Sequence, residues 1–140
     1  MPPVKVELFK ANARLPEYAY PSDTGADLFA CEDVEIWPHQ IKLVSTGIKM
    51  QFPEGWAGFI LEKSGLALKR GVQIMGGVID SSYRGEVNVL IRNTTPEIMR
   101  FQTGDKVAQI EIRPVYQAWF SIGEVNDTAR SASGFGSTGR

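Results

Sequence analysis

Apolar and polar residues alternate with a period of two through Val4-Lys5-Val6-Glu7-Leu8-Phe9, as they do in a half-buried β-strand. Further β-rich runs cover Ile41 to Ile48, Ala57 to Leu61, Val72 to Ile74, Glu86 to Arg92, Val107 to Ile112 and Gln117 to Val125. Turn-forming clusters punctuate them at Pro53-Glu54-Gly55, Asn93-Thr94-Thr95-Pro96 and Thr103-Gly104-Asp105. One stretch alone predicts a helix: Ser64 as N-cap, Gly65 through Arg70 as its body and Gly71 as its stop. Its basic residues Lys69 and Arg70 fall in the last turn, where the helix dipole favours cations. Many short strands with a single helical turn predict an all-β domain, a sandwich, jelly roll or barrel. The pattern ends near residue 128, so one domain over 1–128 and a flexible tail over 129–140 are expected.

The tail, Arg130-Ser131-Ala132-Ser133-Gly134-Phe135-Gly136-Ser137-Thr138-Gly139-Arg140, has almost nothing to bury. Its lone Phe135 nevertheless stands between two glycines that let the backbone fold tightly over a flat ring. Ser137, Thr138 and unencumbered N–H groups beside it suit phosphate oxygens, which together suggest a nucleotide lid.

Composition narrows the chemistry. With 140 residues, 43% of them hydrophobic, the chain can bury a real core, and no apolar run approaches a membrane span. The start of the chain lacks a signal-like apolar stretch, so a cytoplasmic protein is expected. Cys31 is the only cysteine and reads as a small buried hydrophobe. His39 is the only histidine, which argues against a zinc site or a Ser-His-Asp triad. The formal net charge of −1 argues against a nucleic-acid polymer as partner. Carboxylates, hydroxyls and a soluble metal ion are left to carry any catalysis.

Four internal segments are too polar or too small for plain scaffolding. Ser22-Asp23-Thr24-Gly25-Ala26-Asp27-Leu28 places two carboxylates around a glycine, as an Asx turn also would. Glu62-Lys63-Ser64-Gly65-Leu66 sets a cation ahead of a helix start, either an ordinary cap or an anion site. Met75 through Glu86 reads as a hairpin whose tip carries Asp80, Ser81, Ser82 and Tyr83. Within it Gly76 and Gly77 would let a ligand approach the backbone closely. Last, Gln109 interrupts the apolar pattern after Gly104-Asp105-Lys106, either on a solvent face or as a donor to a ligand.

In this order and spacing, the segments together with the tail resemble the five motifs of the trimeric dUTP pyrophosphatases, the dUTPases. The matching stretches are Thr24 to Leu28, Lys63 to Ala67, Gly77 to Asp80 with Tyr83 to Gly85, Gly104 to Gln109, and Arg130 to Gly139. The chain departs from the family pattern at Lys63, where the family usually has arginine, and at Glu62, where no negative charge is expected. It departs again at Ser131 and Ser133, which replace two glycines of the tail, and at Ser81-Ser82, where many relatives carry an acidic residue.

The resemblance implies a jelly-roll-like β-barrel that assembles as a homotrimer, with each active site shared between subunits and closed by a neighbour's tail. It implies hydrolysis of dUTP to dUMP and pyrophosphate, which keeps uracil out of DNA and supplies dUMP for thymidylate synthesis. Asp80 would activate the attacking water at the α-phosphorus. Tyr83 would lie under the deoxyribose, while the backbone of Gly76, Gly77, Val78 and Ile79 reads the uracil edge and Phe135 stacks on the base. Lys63, Ser64, Gly65 and Gln109, with Arg130, Gly136, Ser137 and Thr138 of the tail, would bind the phosphates. Mg2+ would arrive mainly on the triphosphate, with Asp27 at most touching its water shell. Two other readings of the same fold are a dCTP deaminase, for which Glu86 is the one acidic residue close by, and a nucleotide-sensing scaffold.

Overall fold

A computed structural model describes residues 1–139. The chain runs β1 (Lys5–Leu8), β2 (Ala26–Phe29), β3 (Val34–Ile36), β4 (Ile41–Val44), β5 (Ile48–Gln51), β6 (Trp56–Leu61), α1 (Ser64–Arg70), β7 (Val72–Met75), β8 (Val78–Ile79), β9 (Val89–Asn93), β10 (Met99–Phe101) and β11 (Lys106–Pro114). The all-β expectation holds. Among the described residues all strand pairs are antiparallel and fall into four sheets, β2-β11-β6-β8, β4-β9-β7, β1-β5 and β10-β3. Between them lies one apolar core in which Leu28, Ile36, Ile48, Ile91, Phe101 and Ile110 are almost fully buried. Truncating any of these aliphatic side chains to alanine should cost about 2–5 kcal/mol.

Several expected elements change in detail. The run Ile41 to Ile48 is two strands, because Ser45, Thr46 and Gly47 break it. Gly47 sits at φ +70, and a Cβ there would crowd the Cβ atoms of Ala13 and Lys10 at 2.9 Å. Buried Thr46 turns its hydroxyl to the carbonyl of Val87 at 2.5 Å instead of continuing the ladder. Strand β2 escapes a period-two reading because all four of its residues are buried, Asp27 included. Helix α1 spans the predicted residues and stops at left-handed Gly71, φ +62. Ser64, however, is its first helical residue; Lys63 occupies the cap position and no side chain caps the helix.

The expected hairpin over Met75–Glu86 is instead a crossing between sheets. β7 pairs with β9, whereas β8 pairs with β6. The change of sheet happens at Gly76 and Gly77, at φ +70 and +91. Gly77 lies so close to β6 that an added Cβ would stand 2.7 Å from the carbonyl oxygen of Ile60, and its own carbonyl accepts the Ile60 N–H at 2.8 Å.

The run Gln117 to Val125, also expected to be a strand, forms none within this chain. Its pattern is strand-like, yet Trp119, Phe120, Ile122 and Val125 are all at least 90% exposed. A strand needs a neighbour to hydrogen-bond and a face to bury, and this chain offers the segment neither.

Candidate active site

Strand register brings the first, second and fourth segments into one row. On β11, Gln109 stands opposite Asp27 of β2 on one side and opposite Leu61 of β6 on the other. The Gln109 amide nitrogen donates to the carbonyl of Glu62 at 2.8 Å. Gly25 makes this possible, since a Cβ at that position would collide with the Gln109 carboxamide. Gln109 is half-buried, so neither of its two expected settings describes it fully: it is held by its own protein and still borders a cavity.

That cavity, of about 450 Å3, is lined by Lys63, Ser64, Gly65, Leu66, Lys69, Arg70, Lys106 and Gln109. All four internal residues expected at phosphates therefore meet in one place. Lys69, Arg70 and Lys106 join them, so the concavity is strongly cationic and suited to a polyanion. Lys106 carried a visible signal, a cation inside the fourth segment. Arg70 did not, because its role depends on packing: it stacks 4.4 Å over Phe101 and donates to the carbonyl of Arg100.

Asp27 lies behind this cavity, 2% exposed. Lys63 hydrogen-bonds its Oδ1, and the Lys106 Nζ lies 2.6 Å from Oδ2 as an ion pair without the alignment of a hydrogen bond. Burial works against the charged carboxyl, but Lys106 and then Lys63 outweigh it and hold the group below its ordinary value. The same contact raises the Lys106 ammonium above its ordinary value. With both oxygens engaged, Asp27 does not fit a direct metal ligand. Among the described residues, no group of three or more His, Cys, Asp or Glu side chains is placed to hold a metal ion. Glu62, the unexpected acid, faces away from this task and accepts the N–H of Ile74 at 2.8 Å.

A second cavity, of about 300 Å3, is lined by Leu43, Val78, Ile79, Asp80, Tyr83, Glu86 and Asn88. A turn closed by the Tyr83 N–H on the Asp80 carbonyl, 3.1 Å, sets Asp80 and Tyr83 side by side. The Tyr83 phenol donates to the Glu86 carbonyl at 3.0 Å, and its ring folds so closely over Gly85 that no Cβ would fit there. Asp80 also borders a neighbouring concavity with Ser81, Ser82, Trp56 and Tyr116.

The tail reaches neither cavity of its own chain. It folds into successive turns, in which Arg130 donates through Nε to the Ser133 carbonyl at 3.0 Å. Phe135 is fully exposed at φ +51 and is followed by Gly136 at φ +88, with Ser137 and Thr138 exposed beyond them. Ser131 sits at φ +43, a left-handed backbone that glycine adopts more easily. Its hydroxyl contacts Asp127 at 3.1 Å.

Comparison with known proteins identifies the family. A family model described as dUTPase matches residues 11–139. The chain belongs to the dUTPase family. A deoxyuridine 5'-triphosphate nucleotidohydrolase of Cutibacterium acnes is 42% identical over 129 residues, 89% of this chain and 85% of the relative. The dUTPase of Staphylococcus bacteriophage 80alpha, solved with dUpNHpp, superposes with a TM-score of 0.90 at 26% identity, covering 99% of both chains. A mutant dUTPase from phage phi11 of S. aureus, described with a coordinated structural Mg(II) ion, gives a TM-score of 0.80 at 27% identity over 88% of this chain and 97% of its own. As a dUTPase family member the chain keeps the sheet architecture of its relatives, and among the described residues no helix is long and apolar enough to cross a membrane.

Proposed function

We propose that this dUTPase family member hydrolyses dUTP to dUMP and pyrophosphate in the cytoplasm, at sites that each need three copies of the chain. The observation that carries the reading is the separation of its parts. One chain holds an Asp80–Tyr83 pocket, a cationic cavity and an exposed Phe135 tail that reaches neither. Beside them runs a strand-patterned segment, residues 117–125, with no partner strand among the described residues of its own chain. A homotrimer would resolve both: the segment docks on a neighbouring body, and the tail then reaches a neighbouring pocket.

Asp80 would hold a water in line with the α-phosphorus and accept its proton as the bond to the bridging oxygen breaks. A carboxylate is a weak base at neutral pH, so most of the rate must come from positioning and from charge stabilisation. The cations around Lys63 and Lys106 support that role, with the exposed N–H groups of Ser64 and Gly65 and the carboxamide of Gln109 beside them. Mg2+ enters with the triphosphate as part of the substrate. Asp27 comes near the metal's water shell only if Lys63 or Lys106 turns onto the phosphates.

Tyr83 would support the sugar and leave no room for a 2′-hydroxyl. The backbone from Gly76 to Ile79, fixed against β6, would pair with the uracil edge, and a cytosine there would leave buried polar groups unpaired. Phe135 would stack on the base, with Arg130, Gly136, Ser137 and Thr138 on the outer phosphates. Glu86 weighs against the deaminase reading, because Lys10, Ser45 and the Gly47 N–H already occupy its carboxylate.

The test is pyrophosphate release in the presence of Mg2+ from dUTP, dCTP, dTTP and UTP, with light scattering to count subunits. Rapid release from dUTP alone by a trimer is expected. Ammonia from dCTP, or full activity in a monomer, would overturn the reading.

A further inference from the structure

Beside the Asp80–Tyr83 pocket, one carboxylate ties together three distant stretches of chain. Glu86, with 14% of its side chain exposed, accepts the Gly47 N–H at 2.9 Å and the Ser45 hydroxyl on Oε1, and the Lys10 ammonium on Oε2 at 2.7 Å. Lys10 also donates to Ser45 at 3.0 Å, and the Ser45 hydroxyl lies 3.1 Å from Cys31 Sγ. The next residue is stitched to the same stretch: the Val87 N–H donates to Ile48 at 2.9 Å, and the Val87 carbonyl accepts the Thr46 hydroxyl. This is more anchoring than a chain needs simply to enter β9. Its position gives it a use, since the Glu86 carbonyl is the acceptor of the Tyr83 phenol at 3.0 Å.

We propose that Glu86 is a positioning residue, clamped by Lys10, Ser45 and Gly47, that fixes where the Tyr83 ring stands and so sets the discrimination between 2′-deoxyribose and ribose. This rests on the reading that Tyr83 supports the sugar. Gly85 makes the coupling direct: with no side chain of its own, it lets the ring lie against the backbone that Glu86 holds. A shift of that carbonyl moves the phenol, and a ring displaced by a fraction of an ångström opens the space a 2′-hydroxyl needs. Charge is essential to the clamp. In Glu86→Gln the amide nitrogen either faces the Lys10 ammonium, donor against donor, or gives up the Ser45 and Gly47 donors.

The experiment measures kcat/KM for dUTP and for UTP in the assembled wild-type protein and in Glu86→Gln, Lys10→Met, Tyr83→Phe and Tyr83→Ala, with melting curves for each. The expected result is that Glu86→Gln and Lys10→Met each lower the dUTP/UTP ratio by about tenfold. Glu86→Gln should add little once Tyr83→Phe has removed the phenol, because both changes cut one chain of contacts. Lys10 is 42% exposed, so Lys10→Met tests the clamp even if Glu86→Gln folds poorly. A lowered melting temperature with an unchanged ratio in both variants would overturn the proposal and leave a structural role. If Tyr83→Ala itself leaves the ratio unchanged, the sugar-support reading falls and takes this proposal with it. A ratio that moves in Tyr83→Ala but not in the Glu86 and Lys10 variants overturns the clamp alone.

Discussion

Strand β11 and the segment 117–125 stand close together in the chain and share a β-rich, apolar-interrupted pattern, yet they end differently. β11 is flanked on both sides, by β2 and by β6, and buries Val107, Ala108 and Ile110. Immediately beyond it, Trp119, Phe120, Ile122 and Val125 stay exposed with no ladder to join. Alternation reports that a segment wants to be half-buried; it does not report whose surface will bury it. Large apolar side chains exposed together suit an interaction surface, and in the proposed trimer that surface would be this ribbon leading to the tail.

Breaking the ribbon should have the largest effect. Trp119→Ser with Phe120→Ser should leave the body folded by circular dichroism, abolish assembly in light scattering and remove essentially all turnover. An assembled, active double variant would show that the ribbon is an ordinary surface loop and that the two regions do not differ in kind.

Asp80→Asn tests the other side of the comparison, the body in which the proposed base stands. A positioned general base contributes about 10²–10⁴-fold, so kcat should fall by about a thousandfold with KM for dUTP little changed. Asp80 is exposed, so the melting temperature should not move. Near-normal kcat would displace Asp80 from the role of base.

Truncation after Thr128 separates ribbon from lid. The product should remain folded and assembled, because the ribbon is intact, and lose turnover by about a hundredfold, because nothing closes over the base. A tailless protein with normal activity would sink the lid assignment.

How much of this was legible follows the same division. β1 announced itself by alternation; β2 did not, because all four of its residues are buried and Asp27 sits inside an ion-pair cluster. The five motif segments named the candidate site residues, but the grouping of Lys63, Ser64, Gly65 and Gln109 around one cavity depends on register, above all on Gln109 opposite both Asp27 and Leu61. In the sequence Glu86 read only as the one acid close by for a deaminase. Its engagement with Lys10 spans 76 positions, a distance at which no local pattern speaks.

The smallest expected effect concerns acid. Asp27, Glu86 and Asp33 all lie in the body, and each carboxyl is held below its ordinary value. For Asp27 and Glu86 burial opposes this but ammonium and other donors win; for Asp33 the backbone and hydroxyl of Thr103 lead. A carboxyl depressed on folding adds stability above its unfolded pKa, and that stability is lost as pH falls through the folded value. The stability advantage of wild type over Asp27→Asn should therefore be complete at neutral pH and shrink below about pH 4, where unfolded carboxylates begin to protonate. Melting curves at pH 7, 5, 4 and 3 measure it, and a gap unchanged at pH 3 would mean that the charge of Asp27 is not what the two lysines hold. The protein truncated after Thr128 should follow the same acid limb as the full chain, since none of these three carboxylates lies in the tail. A truncated chain that unfolds at a different pH would show that the tail braces the body, and body and tail would then be one cooperative unit.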